Sequence, residues 1–158
     1  MNRVRNAWPR RAVTLLELIA AITILGFFTI VAVSRIGPGT LYNFGARADA
    51  QRLAVDLSQA RRRSISTGDN HYLAFTVVGG DATGYTLYRR EAGGDVAVDS
   101  PHEFPNKVVV TPSHTDAEFT FEGAALAAYQ IVLTGSEQTW QVDVVPVTGF
   151  IDVLQTAP

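Results

Sequence analysis

Glu17 is the only charged side chain between Ala12 and Ser34, inside the run AVTLLELIAAITILGFFTIVAVS. A carboxylate at the centre of a membrane helix costs roughly 2.5–3.5 kcal/mol or more; near a helix end, or beside a cation, it costs less. A cut between Ala12 and Val13 would give Val13 a free amine. Glu17 would then lie one helical turn away, about 6 Å along the axis, facing the positive end of the helix dipole. The amine of the same chain or of a neighbouring chain could pair with it. This is ion-pair chemistry. No catalytic constellation accompanies it: His71, His102 and His114 are far apart and lack metal-ligand spacing. Asp69, Asp81, Asp95, Asp99 and Asp116 stand singly, as turn residues do, and the histidines are expected at the surface. Gly93-Gly94 lacks the Lys-Ser or Lys-Thr of a phosphate loop, and no G-x-S-x-G is present. The chain has no cysteine, which excludes disulfides, Cys metal sites and a Cys nucleophile.

The element that must position Glu17 is the apolar run itself. Its 23 residues would reach roughly 34 Å as a helix, enough to cross a hydrocarbon core of about 30 Å. Arg3, Arg5, Arg10 and Arg11 precede it without an acid among them, which places the N-terminus on the cytoplasmic side. Three accounts are open. A signal peptide would be cut after Ala32-Val33-Ser34, but its apolar region is usually 7–15 residues. A plain single-pass anchor explains length and orientation but not Glu17. The third account makes Glu17 functional.

Ala12-Val13-Thr14-Leu15-Leu16-Glu17-Leu18, behind a basic leader and before an unbroken apolar span, resembles the processing motif of type IV pilins and type II secretion pseudopilins. The resemblance implies cleavage by prepilin peptidase between Ala12 and Val13 and N-methylation of Val13. It also implies filament docking through Glu17, which pairs with a neighbour's amine. Thr14, Leu15, Leu16 and Leu18 match the motif, as does Gly26 in the helix. Ala12 replaces the family's usual Gly, keeping the small size, and Val13 replaces its usual Phe.

Past the run, Arg35-Ile36-Gly37-Pro38-Gly39 reads as a linker or kink, because Pro38 lacks a backbone donor and two glycines flank it. Leu41 to Ser66 reads as a second helix. Ala46, Ala50, Leu53, Leu57, Ala60 and Ser64 recur at steps of three and four and mark one small, apolar face. Gly68 suits its left-handed C-cap. Arg61-Arg62-Arg63 suits the negative end of its dipole as a solvated terminus. Beyond Gly68 the period falls to two. Strands are predicted at 72–78, 85–89, 107–111, 118–121, 130–133, 140–145 and 150–153, with turns at Gly79-Gly80-Asp81 and 92–95. Closely spaced turns favour antiparallel hairpins.

The predicted fold is thus α+β: a long N-terminal helix, its first half membrane-spanning and its second amphipathic, packed on an antiparallel β-sheet domain. The predicted organisation is a basic leader at 1–12, a transmembrane and assembly helix at 13–36, a linker and amphipathic helix at 37–67, and a β-rich domain at 68–158. This order resembles the minor pseudopilin H branch of type II secretion and the FimT-like minor pilins. Gln59-Ala60-Arg61 with Ser64-Ile65 and Gly68, Tyr72 to Phe75, Phe119 to Gly123, and Val144 to Ile151 carry that resemblance. Phe150 stands where the branch often has Arg.

The resemblance implies a structural, non-enzymatic subunit of a type II secretion or type IV pilus-like filament. It would be anchored in the inner membrane with its C-terminal domain in the periplasm. Its partners would be prepilin peptidase, other pseudopilins or pilins, and an inner-membrane assembly platform. Neither a cofactor nor a metal is expected; no acid cluster suits a calcium loop. The alternatives are a FimT-like DNA-uptake pilin and a plain membrane-anchored periplasmic domain. After loss of residues 1–12 the chain would hold 9 basic and 15 acidic residues, a net of −6. That balance disfavours nucleic acid, whose phosphates require clustered cations.

Overall fold

The computed structural model describes residues 14–34, 38–105 and 107–156, without the side chains of 32–34 and 38–44. Ala12 and Val13, on which cleavage and methylation are expected, lie outside the described residues. The chain divides into two compact units, Met1–Gly37 and Pro38–Pro158.

The described residues of the first unit form one helix, α1, Leu15–Ser34. Among the described residues, no helix is both long and apolar enough to cross a membrane. The 20 residues of α1 rise about 30 Å, which only equals the hydrocarbon thickness, and Glu17 falls within them. The 23-residue span expected from the sequence is therefore not met by α1 as described.

The second unit opens with α2, Pro38–Thr67. Pro38 does not break this helix but starts it: a missing N–H and a fixed φ are tolerated in a first helical turn. Among the described residues nine strands follow: β1 (His71–Val78), β2 (Asp81–Arg89), β3 (Val96–Ala97), β4 (His102–Glu103), β5 (Val109–Pro112), β6 (Asp116–Phe119), β7 (Tyr129–Thr134), β8 (Thr139–Val144) and β9 (Ile151–Thr156). They form two antiparallel sheets rather than one. The first runs β3-β2-β1-β6, with β4 also pairing β2, and the second runs β5-β7-β8-β9. The short β3 and β4 carry too few residues to show a period and were not expected.

The β1–β2 hairpin closes through Gly79 and Gly80, both at positive φ, as a tight two-residue turn requires. α2 packs against β1 and β6 of one sheet and β7, β8 and β9 of the other. Its buried face is Ala46, Ala50, Leu53, Leu57, Ala60 and Ser64, each with no exposed surface. The predicted stripe is thus the core-facing one. Small residues let the helix approach the sheets, and the two leucines fill the space among Leu73, Phe119, Ile131, Leu133 and Val142.

Candidate functional site

On α1, Thr14 is the N-cap. Its hydroxyl accepts from the Glu17 N–H at 3.2 Å, and its carbonyl accepts from the Leu18 N–H at 3.1 Å. Thr14-Leu15-Leu16-Glu17 has the Thr-x-x-Glu spacing of a capping box, a helix-start signal overlooked in the motif. Glu17 thus sits in the first turn of α1, at the positive end of the dipole. Leu15, Leu16 and Leu18 are exposed, as are Ile19, Ile22, Ile24, Leu25, Phe27, Phe28 and Ile30. These positions go all the way round the helix. Thr23 donates to Ile19 and Ala20 carbonyls, and Thr29 to that of Gly26. The threonine hydroxyls are satisfied within the helix, so Glu17 is the one charged group that α1 presents.

In the second unit, motifs scattered in sequence converge at the C-terminal end of α2. Gly68, at φ +78°, ends the helix with its N–H donating to the Ser64 carbonyl at 3.0 Å. The buried Ser64 hydroxyl joins three elements: it accepts from the His71 N–H at 3.0 Å, and its hydrogen is shared between the Ala60 and Phe119 carbonyls at 3.1 and 3.2 Å. Ser64→Ala leaves the His71 N–H buried without that acceptor. It should lose roughly 1–3 kcal/mol in urea unfolding of the full chain; an unchanged midpoint would show that the hydroxyl joins nothing.

One turn earlier, Arg61 donates from Nε to the Gly123 carbonyl at 2.9 Å. It is therefore not the solvated terminus residue expected. Gly123 (φ +82°) and Gly149 (φ +61°) lie beneath it. A Cβ on Gly123 would come within 2.6 Å of Ile65, and one on Gly149 would collide with the Gly123 carbonyl oxygen. Arg61, Gly123 and Gly149 thus clasp the end of α2 to the turns that follow β6 and β8. Sequence reasoning marked all three segments but had no means of placing them together.

Two of the three histidines differ from the surface position expected, while His114 is exposed as expected. His71 is buried, with Nδ1 3.0 Å from the Asp69 carbonyl oxygen. It opens β1, whose first three residues are all buried, on both faces of the strand. His102 is half-buried between Tyr85 and Phe104, with ring centroids 4.9 and 5.6 Å away. Burial, then the Arg52 charge, lowers its pKa from the ordinary histidine value. His114 packs edge-on against Tyr129. Trp140 is buried, with the Arg47 guanidinium 5.5 Å from its ring centroid.

Asp95 and Asp116 are not self-contained turn residues, because Arg90 reaches both, at 2.8 and 3.3 Å, together with Glu118 at 2.8 Å. Arg90 also lies over the Tyr72 ring. Burial and the Asp95 hydrogen bond push the Tyr72 phenol up to about 12. This network ties the β2–β3 turn to β1 and β6. No group of three or more His, Cys, Asp or Glu that could hold a metal occurs among the described residues.

No protein-family model matches the sequence, and no curated protein matches it. Solved structures do resemble it in fold. The minor pseudopilin EpsH from the type 2 secretion system of Vibrio cholerae has a TM-score of 0.59 at 12% identity, covering 70% of this chain and 96% of that one. The type IV minor pilin FimU of Pseudomonas aeruginosa has a TM-score of 0.59 at 16% identity, covering 74% and 92%. A second EpsH structure has a TM-score of 0.58 at 12% identity, covering 72% and 97%. The fold is pilin-like α+β.

Proposed function

We propose that this chain is a structural, non-catalytic filament subunit, a minor pseudopilin of a type II secretion system or a minor pilin of a type IV pilus-like machine. In this proposal prepilin peptidase cuts between Ala12 and Val13, and Val13 is N-methylated. The apolar segment then holds the subunit in the inner membrane, with the second unit in the periplasm, until the assembly platform passes it into a filament.

The observation that carries the proposal is α1. Its apolar side chains surround the helix, and its single charge is Glu17 in the first turn. Such a helix can leave lipid only by burying the same surface against others of its kind. In that contact Glu17 needs a cation, and a neighbour's Val13 amine would supply one. The pilin-like fold of the second unit supports the same reading.

The test is Glu17→Ala in the full precursor. The variant should still be cut, with mass spectrometry finding a methylated Val13 start, yet be lost from the sedimented filament fraction. Normal incorporation would overturn the docking role, and an intact Met1 start in the parent protein would make the segment a plain anchor.

A further inference from the structure

An open sheet edge invites pairing with another strand, and most edges of the second unit are closed to it. β3 and β4 have two residues each. β5 ends in Pro112, which lacks a donor. On β6, Arg90 holds both Asp116 and Glu118. β9 differs. It is the outermost strand of the second sheet, pairs with β8 over six residues without a bulge, and contains neither lysine nor proline.

The backbone groups that β9 leaves free can be named. The Val145 N–H donates to the Phe150 carbonyl at 2.8 Å. Hydrogen-bonded pairs alternate along an antiparallel ladder, so β8 takes the backbone groups of Asp152, Leu154 and Thr156. Those of Ile151, Val153 and Gln155 face away from it. The Val153 N–H agrees with this phase, since it donates to the Asp152 carboxylate at 2.9 Å. The one charge on β9 is thus folded back onto the strand's own free donor.

Beside this edge a hollow of about 540 Å³ opens between the start of β9 and one flank of α2. Val55, Ile65, Phe150 and Ile151 give it an apolar lining, and the first three are exposed. Arg62 lines it and no acid does. Arg61 is committed to the Gly123 carbonyl, whereas Arg62 reaches only its own helix, with Nε 3.3 Å from the Ser58 carbonyl oxygen. Asp69 and Glu122, exposed near that end of α2, do not line the hollow. Among the described residues no carboxylate forms an ion pair with Arg62.

We infer that an extended segment of a different protein adds to β9 as the next strand of the second sheet. Its main chain meets the free N–H and carbonyl groups of Ile151, Val153 and Gln155, the mode of strand addition. Its inward side chains, apolar at alternate positions, fill the hollow. A carboxylate at the end nearest Arg62 makes a charge-assisted pair with it.

A second copy of this chain does not fit. The edge it could offer is β9 itself, whose inward Ile151 and Val153 are already packed on their own core. Asp152 alternates to the other face, so β9 brings no acid to Arg62. The inference stands on the second unit alone; under the filament reading, the different protein is a neighbouring subunit of another kind.

The test is photo-crosslinking of the full-length protein in intact cells. Leu154, 46% exposed on the outer face of β9, is replaced by p-benzoylphenylalanine. A cross-link to a different protein is expected, with mass spectrometry placing it in a segment of alternating apolar residues that has an acid at one end. The same probe at exposed Gln130, on β7 two strands in, should give none. Adding Val153→Pro removes a free N–H and no bond to β8, so the urea midpoint should hold, as for proline on an edge strand. The cross-link should fall about tenfold, as loss of a main-chain hydrogen bond implies. Arg62→Glu should lower it by a similar factor. A cross-link that survives Val153→Pro, or one made to a second copy of this chain, overturns the inference. Should Val153→Pro lower the midpoint, Arg62→Glu decides, and survival there overturns it equally. Sedimentation of the same sample reports filament entry separately: entry without a cross-link overturns strand addition and leaves the filament reading standing.

Discussion

Gly149→Ala is expected to remove about 3 kcal/mol or more of stability, while Gly79→Ala removes only about 1–2 kcal/mol. Both glycines have positive φ, +61° and +67°, so both substitutions meet the left-handed penalty of roughly 1–2 kcal/mol. They differ in their surroundings. Nothing lies within 4 Å of a Cβ placed on Gly79. On Gly149 the Cβ would collide with the Gly123 carbonyl and stand 2.9 Å from Arg61 Nε. The carbonyl is backbone and cannot swing aside, so the turn must open. Opening it breaks the Arg61–Gly123 hydrogen bond, whose donor is charged and which contributes roughly 1.5–3 kcal/mol. Against a typical total of about 5–15 kcal/mol, this is enough to lower the yield of folded protein. Urea midpoints of the two full-length variants check it, and equal losses would show that the clasp adds nothing beyond backbone conformation.

Leu57→Ala is expected to remove about 2–5 kcal/mol, the range for a buried leucine whose site cannot collapse. Leu57 has no exposed surface and belongs to the cluster formed by α2 and both sheets. Hydrogen-bonded strands back it on two sides, so the cavity should persist. Two residues earlier, Val55 is 58% exposed, and Val55→Ala should stay within about 0.5 kcal/mol. Thermal or urea unfolding of both variants tests the pair. A small loss at Leu57 would mean that α2 is loosely docked, contrary to the close approach that Ala46, Ala50 and Ala60 permit.

These expectations show which parts of the molecule could be read from its residues. The α2 stripe was legible to the residue, because a helix packed on sheets must repeat near every 3.6 positions, and Ala46 to Ser64 do so. The longer strands were legible for the matching reason: a period of two and glycine turns at Gly79-Gly80 leave few other structures. The start of α2 was not, since Pro38 reads equally well as a breaker and as a first-turn residue. β3 and β4 were not, since two residues carry no period. The buried state of His71 was not, because imidazole serves equally in water and beneath a helix end.

What the sequence by itself determined is local: where the helices and main strands run, which face of α2 turns inward, that Gly68 ends that helix, and that one carboxylate sits alone in an apolar run. Each follows from interactions within a few residues, so spacing records it. Only the tertiary structure decided that the strands divide into two sheets, and that Ser64 joins α2 to β1 and β6. It also decided that Arg61 lies on Gly123 and Gly149, and that β9 is an open edge beside a hollow under α2. Those arrangements join residues up to about a hundred positions apart. They depend on which surfaces remain to be covered once the helices and strands have formed, and no spacing along the chain encodes that.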